Sequence, residues 1–425
     1  MTSLEKDEKY LWHPYTQHKT ALAPIVIKRG KGALLWDEND NEFIDAIASW
    51  WVNPFGHSNP FVADAIYKQL TTLEHVLFGG FTHEPAIEVA ERLMEILPSN
   101  QKKIFFSDNG STAVEVAIKV ALQYFYNSGI KKPTIIAFED AFHGDTFAAM
   151  AASGISLYTQ AFAGMFIDVV RIPVPVAGKE NESYEMLNRV ISENQCAAFI
   201  FEPLVLGAAG MVMYESESLD KLISICRENK VLTIADEVMT GFGKTGKTFA
   251  CDYLKTQPDM MCLSKALTAG TIPMALTTFT QELFDGFYSD DINKALFHGH
   301  TFTANPTGCA AALASMKLLQ TDEMQQNINR INQQHVAFER YIKKHSKVAA
   351  TRVLGVIFAL EIKVEGEASY YGSIRNKLYK FFIENGIILR PVGNIVYILP
   401  PYIISDEQLT TVYEVIEKAL SLQDL

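Results

Sequence analysis

The pattern of apolar and polar positions changes texture twice along the chain. After a polar arm, short apolar stretches at 25–27, 33–36 and 42–45 are separated by the glycine-bearing residues 30–32 and the polar run 37–41. Apolar runs of this length between turn formers predict three short strands. From about 55 to 310 the pattern alternates. The runs at 103–106, 134–138, 197–201, 231–235, 260–263 and 275–279 are short and mostly apolar, as in strands buried on both faces. Between them lie stretches with a helical period, at 85–97, 218–228 and most strongly 112–126, where Ala113, Val116, Ala117, Val120, Ala121 and Tyr124 share one face. Buried strands alternating with helices predict an α/β fold, with a mostly parallel central sheet covered by helices.

Beyond 310 the alternation stops. Helices at 306–319 and 324–344 lead to strands at 356–362, 387–389 and 395–399, the pattern of a smaller α+β domain. The expected division is an N-terminal arm and small-domain segment over 1–54, a large domain over 55–310, and a C-terminal small domain over 311–425.

In open α/β sheets ligands bind beyond the carboxyl ends of the strands, and four such ends carry chemistry. Residues 107–112, S-D-N-G-S-T, lead into the strongest helix. Amides and hydroxyls at a helix N-terminus bind phosphate, and an ordinary N-cap by Ser111 or Asn109 is the plain alternative. Residues 141–145, A-F-H-G-D, offer Phe142 either for stacking on a planar ligand or for core packing. Asp236 ends the run V-L-T-I-A, so it is expected to be buried and to need a partner. That partner is a protonated ring nitrogen or, in a purely structural ion pair, Lys244 or Lys247. Lys265 follows another apolar run. A desolvated amine there becomes a nucleophile able to form an imine with an aldehyde cofactor, whereas a solvent-facing lysine would be inert.

Between the acid and the lysine, Gly241, Gly246, Lys247 and Thr248 fit G-x-x-x-x-G-K-[ST], and Gly241, Gly243 and Gly246 fit G-x-G-x-x-G. Both patterns require a strand directly before them and a full helix after. Here residues 237–240 intervene, and 249–255 have room for about two helical turns before Pro258. A tight loop with glycine at positive φ is the expectation, and a P-loop NTPase the remote alternative.

Composition narrows the classes. The 425 residues are 48% hydrophobic and 20% charged, which allows a sizeable core. Lys and Arg number 37 against 49 Asp and Glu, a net charge of −12 without a basic stripe, which argues against nucleic-acid binding. Cys196, Cys226, Cys251, Cys262 and Cys309 form no C-x-x-C pair and fit reduced thiols in a cytoplasm. The charged N-terminus does not read as a signal peptide, and no apolar run approaches the roughly 18 residues of a membrane span. His298 and His300 lack carboxylate or thiolate support, so no metal site is expected.

The order of phosphate turn, aromatic, acid and lysine, with D-E-V-M-T-G-F-G-K-T-G at 236–246 and L-S-K-A-L at 263–267, resembles the class III aminotransferases over essentially the whole chain. These are pyridoxal 5'-phosphate enzymes of fold type I. Further segments are similar to the diaminopelargonate synthase branch, which aminates 7-keto-8-aminopelargonate in biotin biosynthesis. They are H-P-Y-T at 13–16, S-W-W at 49–51, H-V-L-F-G-G-F-T-H at 75–83, H-G-H-T-F-T-A-N-P at 298–306 and R-P-V-G-N at 390–394.

The resemblance implies that Lys265 holds the cofactor as an imine and shuttles the proton, with Tyr15 as a second catalytic residue. It implies that Asp236 pairs with the pyridine nitrogen, that Gly110 and Ser111 bind the phosphate, and that Phe142 and His300 contact the cofactor. Thr301 would reach the phosphate of a neighbouring subunit, making the enzyme an obligate homodimer with shared sites. Tyr15, Trp50, Phe142, Lys265, Gly299, Arg390 and Tyr397 would form the substrate pocket, with Arg390 gripping the carboxylate bidentately, and Glu202 would be an acidic wall residue. S-adenosylmethionine is the implied amino donor and lysine the alternative. An ω-amino acid or ornithine-type transaminase is the rival that generally lacks S-W-W. Three residues depart from the branch: Phe142 stands where tyrosine is usual, Lys244 replaces an arginine near the substrate, and Leu206 replaces glutamine.

Overall fold

The apolar runs pair into a seven-stranded sheet. Its order is Gln101–Ser107, Ala275–Thr280, Met260–Leu263, Leu232–Asp236, Cys196–Phe201, Thr134–Phe138 and Val169–Ile172. Ala275–Thr280 runs antiparallel to both its neighbours, and the other pairings are parallel. The structure, a computed structural model, describes residues 1–154, 156–364 and 373–422. Residues 365–372 and 423–425 of the expected C-terminal domain lie outside the described residues.

Alternation along the strands sends successive side chains to two separate cores. On one face Ile135, Ile200, Ile234 and Met260 pack with Ala113, Val116 and Val120 of the helix Gly110–Asn127. On the other, Ile136, Phe199, Phe201 and Met261 pack with Leu219, Leu222 and Ile223 of the helix Ser216–Glu228. Burying each of these larger side chains, Ala113 aside, contributes roughly 1.5–3 kcal/mol. Because the strands are mostly parallel, their carboxyl ends line up. Ser107, Phe138, Phe201, Asp236 and Leu263 end neighbouring runs, and the loops that follow converge on one edge.

Ile27–Lys31, Leu34–Asp37 and Glu42–Asp45 form an antiparallel meander, and Ile387–Ile388 joins it in parallel, so the two ends of the chain share a sheet. Val348–Leu354, Ile357–Ile362 and Ile395–Ile398 make a second antiparallel sheet.

Several boundaries differ from the pattern-based expectation. The first strand runs through Gly30 rather than ending at 27, because the reversal lies at Gly32, where φ is +61°. Glycine at 30 is required by packing: a Cβ there would sit 2.8 Å from the His57 Cβ. The helix expected at 112 begins at Gly110 under an Asn109 cap, since polar first-turn residues leave no apolar signature. Residues 249–255 hold only the short 3₁₀ turn Ala250–Tyr253. The helices Ser3–Tyr10, Pro60–Leu70, Glu180–Glu193 and Asp406–Leu420 add to those read from periodicity. Among the described residues no helix is long and apolar enough to cross a membrane.

Candidate active site

Two adjoining cavities, of about 480 and 670 Å³, open at the carboxyl edge of the sheet and share Trp51, Phe142, Ser111 and Lys265. The first contains the acid and the amine that the sequence singles out. Asp236 is 4% exposed, and its Oδ1 accepts from the Val238 amide at 3.1 Å. Its Oδ2 lies 2.7 Å from His143 Nδ1. A carboxylate only accepts, so that nitrogen carries the hydrogen.

The structural ion pair with Lys244 or Lys247 is not what forms. Lys244 is buried and donates to the Gly241 carbonyl at 3.0 Å. Lys247 turns outward to the Asp252 carbonyl, 2.8 Å away, and covers the Tyr253 ring. His143 was missed as a partner. Its signal was available: a buried acid needs a partner, and a histidine follows Phe142 at a nearby strand end.

Lys265 opens a one-turn 3₁₀ segment, Lys265–Thr268, with φ +47°. The turn is fixed by the Ser264 hydroxyl on the Met274 carbonyl (2.9 Å) and the Ser315 hydroxyl on the Ala266 carbonyl (2.8 Å). Its Nζ lies 4.5 Å from the Trp51 ring centroid. Burial pushes the amine down to about 8, partly opposed by Asp236 and Glu202. Glu202, 4% exposed, accepts from the amides of Phe142 and Gly207, each at 2.9 Å. Burial raises its carboxyl to about 7, with His143 pulling it down and Asp236 pushing it up.

At the opposite wall the helix Gly110–Asn127 points its N-terminus at the cavity. The Asn109 side chain accepts from the Thr112 amide at 3.1 Å, and Thr112 Oγ1 accepts from the Asn109 amide at 3.1 Å. The amides of Gly110 and Ser111 have no carbonyl above them within the helix and are available to an anion. The surroundings are tight. A Cβ on Gly110 would lie 2.6 Å from Val238 Cγ1, and one on Gly144 would lie 2.3 Å from Ser111 Oγ. A phosphorylated pyridine aldehyde fits this donor set: helix-end amides for the phosphate, a buried carboxylate for the ring nitrogen, a desolvated amine for the carbonyl carbon, and the Phe142 ring alongside.

The second cavity is lined by Tyr15, Trp50, Phe142, Asp145, Arg390 and Tyr397, among others. The Arg390 guanidinium lies 4.5 Å from the Trp50 ring centroid, and Tyr15 packs edge-on to Trp50 at 5.8 Å. The Tyr15 hydroxyl donates to Asp145, and Tyr397 meets Trp51 edge-on at 5.9 Å. Trp50 and Trp51 reach these positions from a turn in which Ala48, Ser49, Trp50 and Trp51 have φ of 46, 47, 71 and 71°. Left-handed backbone costs roughly 1–2 kcal/mol per L-residue, so the surroundings must hold it.

Not every expected residue is at the cavities. Gly299, His300 and Thr301 lie outside both cavities of their own chain, in a loop where Thr301 is exposed. Lys244, expected near the substrate, lines neither cavity, and Leu206 is fully buried away from both. The glycine-rich loop closes on itself: the Gly243 amide donates to the Thr248 carbonyl and the Gly246 amide to the Gly243 carbonyl, both at 3.1 Å. Buried Glu237 ties it down by accepting from Thr240 Oγ1, the Ala250 amide and the Cys251 amide. With no long helix following, it lacks the context of a P-loop.

Comparison with known proteins gives a consistent family. The sequence profile described as Aminotransferase class-III matches residues 15–420. An adenosylmethionine-8-amino-7-oxononanoate aminotransferase of Synechococcus elongatus is 41% identical over 419 residues, covering 97% of this chain and 98% of its own. The crystal structure of an enzyme of the same name from Methanocaldococcus jannaschii matches with a TM-score of 0.93 at 32% identity, covering 99% of each chain. The omega transaminase of Pseudomonas jessenii in complex with PMP matches with a TM-score of 0.92 at 28% identity, covering 99% of this chain and 98% of that one.

Proposed function

Because the chain belongs to the class III aminotransferase family, whose members use pyridoxal phosphate, we propose that it converts 7-keto-8-aminopelargonate to 7,8-diaminopelargonate with S-adenosylmethionine as amino donor. The keto acid is the 8-amino-7-oxononanoate of the relatives' names. The observation that carries the reading is the pair of joined cavities. Lys265 and Asp236 stand in one, and an aromatic and cationic wall of Tyr15, Trp50 and Arg390 stands in the other.

The bound cofactor supplies an electron sink that makes a carbon–hydrogen bond next to the amine acidic. Asp236 would supply the negative charge for its ring nitrogen, and His143 holds the carboxylate in orientation through the 2.7 Å bond. The amides of Gly110 and Ser111 would hold the phosphate. Lys265 Nζ, lowered to about 8 by burial, is partly unprotonated near neutral pH. With the cofactor in place, Nζ would hold and move the proton taken from the donor carbon. Arg390, braced on Trp50, grips the keto acid's carboxylate, and Tyr15 and Tyr397 close the pocket around its chain. Gly299, His300 and Thr301 face a second copy and complete that copy's site in an obligate homodimer. The five free, buried cysteines fit a reducing cytoplasm.

The test is product formation by the pyridoxal-phosphate-loaded protein, read by mass spectrometry. S-adenosylmethionine with the keto acid is expected to give diaminopelargonate, and lysine is not. Product with lysine alone would overturn the donor, and no product with either would overturn the substrate.

A further inference from the structure

We propose that Asp45, which lines neither cavity, is a positioning residue for the substrate: with His57 and Ser49 it holds the left-handed turn that aims Trp50 at Arg390 and Trp51 at Lys265. The role in substrate binding rests on the function proposed above; the clamp itself rests on geometry.

Four successive non-glycine residues, Ala48 to Trp51, share the left-handed region. Nothing in their residue types favours that hand, so the cause lies in their contacts. Asp45 is fully buried. It accepts from the Ile47 amide at 3.2 Å and from Ser49 Oγ at 2.7 Å, and its Oδ2 is 3.0 Å from His57 Nε2. Since the carboxylate only accepts, His57 carries its hydrogen on Nε2, and in the neutral ring Nδ1 accepts from Asn53 Nδ2 at 3.1 Å. The network therefore has one direction, from Asn53 through His57 to Asp45, with Ser49 donating to the same carboxylate oxygen.

His57 is itself fixed. It exchanges backbone bonds with Gly32 at 2.8 and 3.1 Å, and its ring occupies the space that a Cβ on Gly30 would need. Asp45 ends a strand seated on Ile387–Ile388, and the Ala46 amide donates to the Ile388 carbonyl at 3.2 Å. The first strands thus set His57, His57 and the strand set Asp45, and Asp45 sets the turn. The turn then delivers one ring to the 4.5 Å contact with Arg390 and the next to the 4.5 Å contact with Lys265.

The experiment uses the full-length holoenzyme carrying Asp45→Asn, Ser49→Gly, or both. The amide keeps the size of Asp45 but cannot accept from all three donors. Asp45→Asn is expected to raise KM for the keto acid about tenfold, with kcat within about twofold and the cofactor's absorption unchanged. The near-ultraviolet circular dichroism of the apoprotein should also lose tryptophan intensity. Adding Ser49→Gly should bring KM back to within about threefold of wild type and restore much of that intensity, because glycine takes the left-handed conformation without an anchor.

A merely structural buried carboxylate would not be rescued by glycine in the turn. An unchanged KM in Asp45→Asn, or a raised KM that the second substitution leaves in place, overturns the proposal. If Asp45→Asn fails to fold, Ser49→Ala removes one bond alone, and an unchanged KM there overturns it equally. A wild type that ignores the keto acid would sink the proposed function only. The dichroism and its recovery by glycine would then decide the clamp.

Discussion

At the residue scale, two lysines in similar surroundings have different roles. Lys265 lines the cavity, with its amine lowered to about 8, whereas Lys244 is sealed away and burial, followed by repulsion from Lys265, lowers it to about 7. A lysine whose folded-state value lies below its unfolded one penalises the fold fully at pH values below the folded value. The penalty fades as pH rises towards the unfolded value, because there the unfolded chain binds the proton that the folded chain does not. Between about pH 7 and 9 Lys244 should add roughly 1 kcal/mol of stability per pH unit. Urea unfolding of the apoprotein at the two pH values checks this: Lys244→Met should lessen the rise, leaving the part that Lys265 contributes, and an equal rise in both proteins would remove Lys244 as a cause. Asp236 and Lys265 were legible in the sequence because each ends an apolar run, where burial of a charge demands chemistry or a partner. His143 could be noticed near another strand end, but its pairing with Asp236 was not legible, since the two follow strands that are not adjacent in the sheet.

At the element scale, the buried strands and the helix Gly110–Asn127 were legible because their periodicity follows directly from what they bury. Capped polar ends were not, and the start of that helix moved by two residues. The glycine-rich loop shows the opposite failure. Its spacing matched two nucleotide motifs, yet φ of +97° at Gly243 and +94° at Gly246, together with the Glu237 tether, make it a closed turn. Ala48–Trp51 carried no local signal, because a left-handed turn of Ala-Ser-Trp-Trp is imposed by Asp45, His57 and two glycines distant from it. The tryptophan pair was visible in the sequence, and the geometry that separates its two rings was not.

At the scale of the molecule, one chain holds most of the expected site residues around its joined cavities. Gly299, His300 and Thr301 stand apart. Beside them Phe297 and Phe302 are 70% and 62% exposed, apolar surface that the proposed homodimer would cover. The proposed sharing of sites between two subunits makes a specific demand. Mixed dimers of Lys265→Ala and Thr301→Ala subunits contain one site with both residues intact, so refolding the two variants together should recover activity above either alone. No recovery would place Thr301 in its own chain's function. The central claim is that Lys265 holds the cofactor and moves the proton. Borohydride reduction of the pyridoxal-phosphate-loaded protein, followed by peptide mass spectrometry, tests it most directly. The wild type should carry the reduced cofactor on the peptide containing Lys265, and Lys265→Ala should carry none and lose transamination. A label on another lysine, or an active Lys265→Ala, would contradict it.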